Sequence, residues 1–384
     1  MTIPILIEPN LKDTIWSREI CEGLKIAIAK KNYEAYFIEG ASYQSFDYKA
    51  FFGESTPLLL LFGTSPSWLY PTIQFFSTQK IGIILLGNTP LASSLLQGQV
   101  YYDYENSVHQ LLDYLTACKC KKTALYGVFE NSVSDLVKKK AFLEHLTRDG
   151  VINAEEYVFE NQNNLDECYS SLFHRIEEFD SALCVNEIVA VSLLQKLQAS
   201  GIRVPEDFQI ITYGSSKLPV ISSPALSTYV VDHMATATQA IKVYKYLLSA
   251  NDPNLRLSVM RTGVIEPRKS TIPVDPPQIQ EQQQIPSLSS EGSPNFYDDK
   301  TVSYFTMFEH FLHDCDSLDL EILRKVLQNI PYEKIAEDLH TARNTIIFRL
   351  NKIQAAFSLN SKKELKEFFQ FHHFDEIILS NNSN

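Results

Sequence analysis

No apolar run in this chain is long enough to cross a bilayer. The longest, "PLLLLF" at Pro57–Phe62, falls far short of the roughly 20 residues a spanning helix needs and reads as a buried strand. The N-terminal stretch "MTIPILIEPN" lacks a basic region, a long apolar segment and a small-residue cleavage site, so no secretory signal is expected. Cysteine is sparse. Cys21, Cys118, Cys120, Cys168, Cys184 and Cys315 are scattered, and only Cys118 and Cys120 are close. No second pair or nearby histidine completes a tetrahedral zinc set, so a metal is not expected. Free thiols in a chain without a signal point to a reducing cytoplasm. The phosphate, dinucleotide, nucleophile-elbow and zinc-protease motifs are missing, and His109, His145, His174 and His233 lie alone in the sequence. Neither catalysis nor a cofactor is expected. Positive charge is also short: 34 basic side chains stand against 46 acidic ones, a net −12. That balance argues against non-specific nucleic-acid or membrane binding by the whole surface, but it leaves room for a local basic face.

What is present is a soluble globular composition, 45% hydrophobic and 21% charged, in 384 residues, enough for two or three domains. Over the first 270 residues short apolar strands alternate with amphipathic helices. Strands are expected at 3–9, 33–39, 58–63, 81–87, 122–129, 154–160, 181–185 and 208–214, and helices at 16–31, 109–118, 134–150, 164–179 and 187–201. Gly150 and Gly201 stand as helix stops. Such alternation predicts an α/β fold of right-handed βαβ units with parallel sheets covered on both faces. The strands are too many for one compact sheet, so two similar lobes are expected, with ligand at the carboxyl ends of the strands.

The alternation stops near Thr271. Residues 272–297 are rich in Pro, Gln and Ser and read as a flexible linker. In "VSYFTMFEHFLHDC" (302–315), Val302, Phe305, Phe308 and Leu312 recur at helical spacing, a face that must bury against its own domain or a partner chain. Residues 298–384 then read as a small all-helical domain. Its centre, 331–357, has a helix-turn-helix layout. Pro331 opens a helix carrying Ile335, Ala336 and Leu339, "HTA" turns, and Thr341 is placed to cap a second helix that buries Ile346, Leu350, Ile353 and Phe357. On its other faces are Arg343, Asn344, Thr345, Ile347, Phe348, Arg349 and Lys352. Arg343 and Asn344 are positioned for base edges, Thr345, Arg349 and Lys352 for phosphates, and an exposed Ile347 or Phe348 for a thymine methyl or a packed neighbour. Between Pro331 and Lys366 seven basic side chains outnumber four acidic ones, so charge is segregated as a DNA-binding module requires. The stretch "EILRKVLQNIPYEKIAEDL…TARNTIIFRLNKI" resembles the LuxR-type domain, and "RNTIIFRLNKI" also resembles the terminal domain of PucR-type regulators. Asn329, Pro331 and Arg349 depart from the LuxR pattern.

The first 271 residues resemble the LacI/GalR-type effector domain, a type I periplasmic-binding-protein fold. The stretch that carries this best is "DSALCVNEIVAVSLLQKLQASGIRVPEDFQIITYGSSKLPVISSPALSTYVVD" (180–232). The resemblance implies a first lobe from about 1–105 and 232–253 and a second from about 107–228 and 257–271. Three crossovers would lie near 104–107, 228–232 and 252–257, with an effector between the lobes. It also implies ligand contacts for Trp16, Lys138, Asn186, Glu187 and Ser215. Gly214 stands where the family carries a cleft aspartate, so ordinary hexose binding is in doubt, and a different sugar, a phosphorylated or acidic molecule, or no ligand remain open.

Together these readings lead to the expectation of a homodimeric, ligand-responsive, DNA-binding transcriptional regulator with no membrane partner. The alternative is a ligand-binding or protein-interaction module whose C-terminal helices do not touch DNA.

Overall fold

The computed structural model describes residues 2–11, 14–38, 40, 42–53, 57–89, 95–250, 252–272 and 299–380. The expected linker lies outside the described residues, apart from Ile272.

The first lobe contains β1 (Thr2–Ile7), α1 (Ile15–Ala29), β2 (Glu34–Ile38), α2 (Tyr48–Phe52), β3 (Leu58–Phe62), α3 (Pro66–Thr78), β4 (Gly82–Leu86) and β5 (Gly98–Tyr102). The chain then crosses to α4 (Tyr104–Ala117), β6 (Thr123–Val128), α5 (Val133–Arg148), β7 (Val158–Glu160), α6 (Leu165–Phe173), β8 (Ser181–Cys184), α7 (Glu187–Ala199), β9 (Gln209–Tyr213), α8 (Leu218–Ile221) and β10 (Ser227–Val230). It returns through α9 (His233–Ala250) and β11 (Leu257–Arg261) and crosses a third time to β12 (Val264–Glu266). The two six-stranded sheets have the orders β11-β5-β4-β3-β1-β2 and β12-β10-β9-β8-β6-β7. Pairing is parallel throughout, except that β12 runs antiparallel to β10. Strands β3 and β9 are buried along their whole length, as expected of sheets covered on both faces, and β3 shows it as the continuous apolar run "LLLLF".

Several expectations shift. The third crossover falls at 262–263, because β11 pairs with β5 and so belongs to the first sheet. Gly263 makes that crossing possible: a Cβ there would meet the Val230 carbonyl oxygen at 2.2 Å. The segment expected as a strand at 154–160 opens with a 3-10 turn and pairs only from Val158, and the helix expected at 164–179 ends at Phe173. Helix α4 begins at Tyr104 rather than 109, with the Asp103 carboxylate accepting from the Asn106 N–H at 3.1 Å. Helices α3 and α9 and strands β5 and β10 to β12 were not expected. Pro71 inside α3 and the Thr/Ala-rich start of α9 obscure their periodicity.

The C-terminal unit consists of α10 (Lys300–Asp314), α11 (Ser317–Leu327), α12 (Tyr332–Asp338), α13 (Arg343–Ala356), α14 (Lys362–Phe371) and α15 (Phe374–Ser380). Part of the apolar face of α10 packs within this unit: Phe308 stacks on Phe374 at 4.2 Å between ring centroids, and Phe311 meets Phe357 at 5.4 Å. Within the chain, that face is buried by the C-terminal helices together with the second lobe. The unit is not separate from the lobes. One continuous buried cluster runs from the second lobe into α10, α11, α13 and α15. Asp299 caps α10 and also accepts from the Leu165 N–H at 2.9 Å, the Lys217 ammonium donates to the Leu312 carbonyl at 2.8 Å, and Gln195 donates to the His373 carbonyl at 3.2 Å.

Candidate functional site: the interlobe cleft and the α12–α13 pair

A cavity of about 180 Å³ opens between the lobes, room for a small molecule rather than a peptide. Its walls are built where chain reversals expose side chains at the carboxyl ends of strands, the position ligands take in open parallel sheets. Trp16 enters from the start of α1, with its ring 4.5 Å from Phe62 and 6.3 Å from His233. Asn186 follows β8 and caps α7: its Oδ1 accepts from the Val189 N–H at 3.0 Å. Glu187 and Ser215 complete the second-lobe side. All five residues assigned to ligand by resemblance, Trp16, Lys138, Asn186, Glu187 and Ser215, therefore line one cleft.

Lys138 lies 4% exposed between the rings of Tyr104 and Tyr213, each 4.5 Å from its ammonium. The nitrogen donates to the Val185 carbonyl at 2.8 Å and sits 3.5 Å from Asp135. Burial lowers the Lys138 pKa and raises that of Asp135, and in each case the partner's charge opposes the shift.

The position of Gly214 is resolved by Glu187. A Cβ on Gly214 would lie 1.9 Å from the Glu187 Oε2 and 2.6 Å from its Cδ. The longer glutamate occupies the space a side chain at 214 would need, so a carboxylate still stands in the cleft. Its Oε2 also accepts from the Ser216 N–H at 3.2 Å.

Sequence reasoning missed four residues that line or brace the cleft. His233 is buried and shares a 2.6 Å hydrogen bond between its Nδ1 and the Tyr102 hydroxyl; burial holds its pKa down to about 4, so it is neutral in the cleft. Glu8 is invisible as a function-bearing residue, yet it accepts from the Thr64 and Ser65 N–H groups at 2.8 and 3.1 Å and fixes the loop that forms one rim. Asn131 faces that loop across the cleft, accepting from the Ser67 N–H at 3.4 Å, while the Val133 N–H donates to the Thr64 carbonyl at 2.9 Å. These two contacts join the lobes directly. The fourth is Glu309, which reaches the cleft from α10 in the C-terminal unit. No signal short of the packed structure could have placed it there.

In the C-terminal unit, α12 and α13 are joined by a short turn at 339–342, with His340 at φ +48°. Ile346, Leu350, Ile353 and Phe357 are buried, as their spacing predicts. Ala342, not Thr341, is the residue preceding α13, and no side chain caps it. The Thr341 N–H instead closes the end of α12 on the Ala336 carbonyl at 2.9 Å. Among the residues assigned to DNA, Asn344 and Lys352 are exposed, and Thr345 and Ile347 are half-buried. Arg343 is exposed, with its Nε 2.6 Å from Glu333. Arg349 differs from expectation: its guanidinium is held by Asp316 and Asp319 at 2.7 to 2.8 Å. Those aspartates form the capping box of α11, so the Arg349 guanidinium is spent on the crossing of α13 over the start of α11 and is not free for a phosphate. Phe348 is 72% exposed with Arg343 and Asn344 on the same helix.

Comparison with known proteins bears on the fold. Residues 112–271 match the family described as a periplasmic binding protein-like domain. The catabolite control protein A of Staphylococcus epidermidis is 31% identical over 181 residues, 40% of this chain and 53% of that protein. The HTH-type transcriptional repressor PurR of Aliivibrio fischeri is 30% identical over 82 residues, 21% of this chain and 24% of that one. The chain thus matches between about a quarter and about half of the length of these relatives. Among solved structures, a putative LacI transcriptional regulator from Bacillus cereus aligns with a TM-score of 0.62 at 15% identity, covering 70% of this chain and 98% of that one. A CelR–cellobiose complex aligns with a TM-score of 0.61 at 15% identity, covering 70% and 84%. The fold is therefore the two-lobed, periplasmic-binding-like fold of LacI-type regulators. The family match ends at Thr271, before α10 begins.

Proposed function

We infer that the chain is a ligand-responsive transcriptional regulator: a small molecule held between the lobes governs a C-terminal helix-turn-helix that binds DNA. One observation carries this reading. The cleft holds Trp16, Lys138, Asn186 and Glu187 together, while the same chain places α12 and α13 in a helix-turn-helix order behind it. The relatives bearing transcriptional-repressor names and the structural neighbours of LacI type support it. A sugar is the favoured effector. The aromatic face of Trp16, the amide of Asn186 and the Glu187 carboxylate together suit a polyhydroxylated ligand, and one neighbour was solved with cellobiose. Lobe movement on binding would change the geometry of the C-terminal unit, and in a homodimer the spacing of two recognition helices. The test is a gel shift on the chain's own promoter region at moderate salt, with and without candidate sugars. A specific shift that weakens with salt is expected; no specific shift and no salt slope would refute the reading.

A second reading has an observation of its own. Arg349 is held by Asp316 and Asp319, and Phe348 is exposed, which suits a protein-facing helix. It gains if an Arg343→Ala, Asn344→Ala double variant keeps full regulatory activity.

A further inference from the structure

Glu309 reaches the interlobe cleft from the C-terminal unit. It is 6% exposed, lies on α10, and lines the cleft between the lobes. Its carboxyl pairs with that of Glu187 at the start of α7, and burial followed by the Glu187 charge pushes its pKa well up. Two carboxyl groups in a buried contact hold together only while a proton is shared between them.

The rest of α10 bridges both lobes at the same mouth. On the second lobe, the Lys217 ammonium donates to the Leu312 carbonyl at 2.8 Å. On the first lobe, Arg18 meets Asp314 at 3.6 Å in an exposed pair. Between them Glu19 of α1 accepts from the Ser215 hydroxyl at 3.4 Å, and its pKa is raised to about 7 by burial and then by the Glu187 charge. The other charged groups near the pair are Arg268, which favours ionised Glu187, together with Asp232 and Glu22, which act on Glu19, and His313 on α10 itself. The attachment is uneven. Beyond the shared core, the second lobe holds the C-terminal unit through Asp299, Lys217 and Gln195, whereas the first lobe holds it through the exposed Arg18–Asp314 pair and the crowded carboxyl groups.

We propose that α10 is a latch on the cleft. Docked with Glu309 on Glu187 of the second lobe and close to Glu19 of the first, it ties the C-terminal unit across both lobes, and a ligand that takes Glu187 as its hydrogen-bond acceptor displaces Glu309 from this carboxyl cluster and leaves the exposed Arg18–Asp314 pair to hold the first lobe. This rests on the cleft being the effector site, and it names how that site reaches the C-terminal helices: through direct contact, without passing through the linker. Losing the shared proton has the same effect as ligand, since two ionised carboxylates at this contact repel. Docking binds the proton more tightly than the released state does, so docking is strongest at low pH and weakens as pH rises.

Small-angle scattering of the full chain tests the latch. The wild-type radius of gyration is expected to increase between pH 6 and pH 8.5, with far-UV circular dichroism unchanged. Glu309→Gln is expected to stay compact at both values, because an amide donates to the Glu187 carboxylate without a shared proton. An unchanged wild-type radius, or an equal expansion of Glu309→Gln, overturns the proposal. A second arm adds cellobiose at pH 6 and follows binding by tryptophan fluorescence. Binding with expansion supports release by ligand, and binding without any change in radius overturns it. No response to cellobiose counts against the sugar reading alone, and the pH arm still decides the latch.

Discussion

Substitution of Gly214 probes the cleft most directly. A Cβ added there would stand 1.9 Å from the Glu187 Oε2, 2.6 Å from its Cδ and 2.8 Å from its Cβ. Alanine at 214 must therefore push the Glu187 side chain off its place over the Ser216 N–H. Overpacking of this kind costs about 1–3 kcal/mol, a fall in Tm of several degrees for a domain of roughly this size. In a Glu187→Gly background all three close contacts vanish, so most of the cost should disappear, whereas Glu187→Ala would keep the Cβ approach at 2.8 Å. A double-mutant cycle read by thermal melting should thus give a coupling on the order of 1 kcal/mol or more, with the double variant more stable than the two single losses predict. Additive losses would mean that Glu187 does not occupy the space at Gly214. The account of the cleft carboxylate would then be wrong.

Other outcomes follow from the same contacts. Lys138→Met leaves buried Asp135 without its cation and should cost about 3–5 kcal/mol by denaturant unfolding, unlike Lys139→Met on the partly exposed next position. His233 is neutral in the fold with its pKa held at about 4. The unfolded chain binds its proton first as pH falls, so stability declines below about pH 6.5 and keeps falling to about pH 4, by on the order of 3 kcal/mol. His233→Phe should flatten that acid limb, and an unchanged slope in chemical denaturation across pH 4–7 would refute it. Arg349→Ala strips the buried Asp319 of its charge partner and should lower the stability of the C-terminal helices by about 1–3 kcal/mol, while leaving the salt slope of DNA binding alone. Arg343→Ala, by contrast, loses only an exposed pair with Glu333; it should leave stability within about 0.5 kcal/mol and weaken DNA binding.

The alternation of apolar strands and amphipathic helices was enough to settle the α/β class, the parallel sheets and the division into lobes, because burial on both sheet faces writes itself into continuous runs such as "LLLLF". The inward face of α13 was equally legible: Ile346, Leu350 and Ile353 repeat at the helical period whatever surrounds them. The resemblance to the LacI/GalR-type effector domain also led to Trp16, Lys138, Asn186, Glu187 and Ser215, which meet in the cleft. Only the tertiary structure decided what depends on residues far apart in the chain. Strand β11 joined the first sheet because a neighbour, β5, was available to pair with it. Glu187 replaced the missing side chain at 214 because α7 starts beside the end of β9, a proximity that no local pattern encodes. Arg349, basic and on the outer side of a recognition-like helix, was drawn to the capping aspartates of α11. Glu309 reached the cleft from outside the two lobes because the apolar core of the second lobe continues into α10 and carries that helix to the mouth of the site. A side chain's type and its period are local properties; its partners are set by packing.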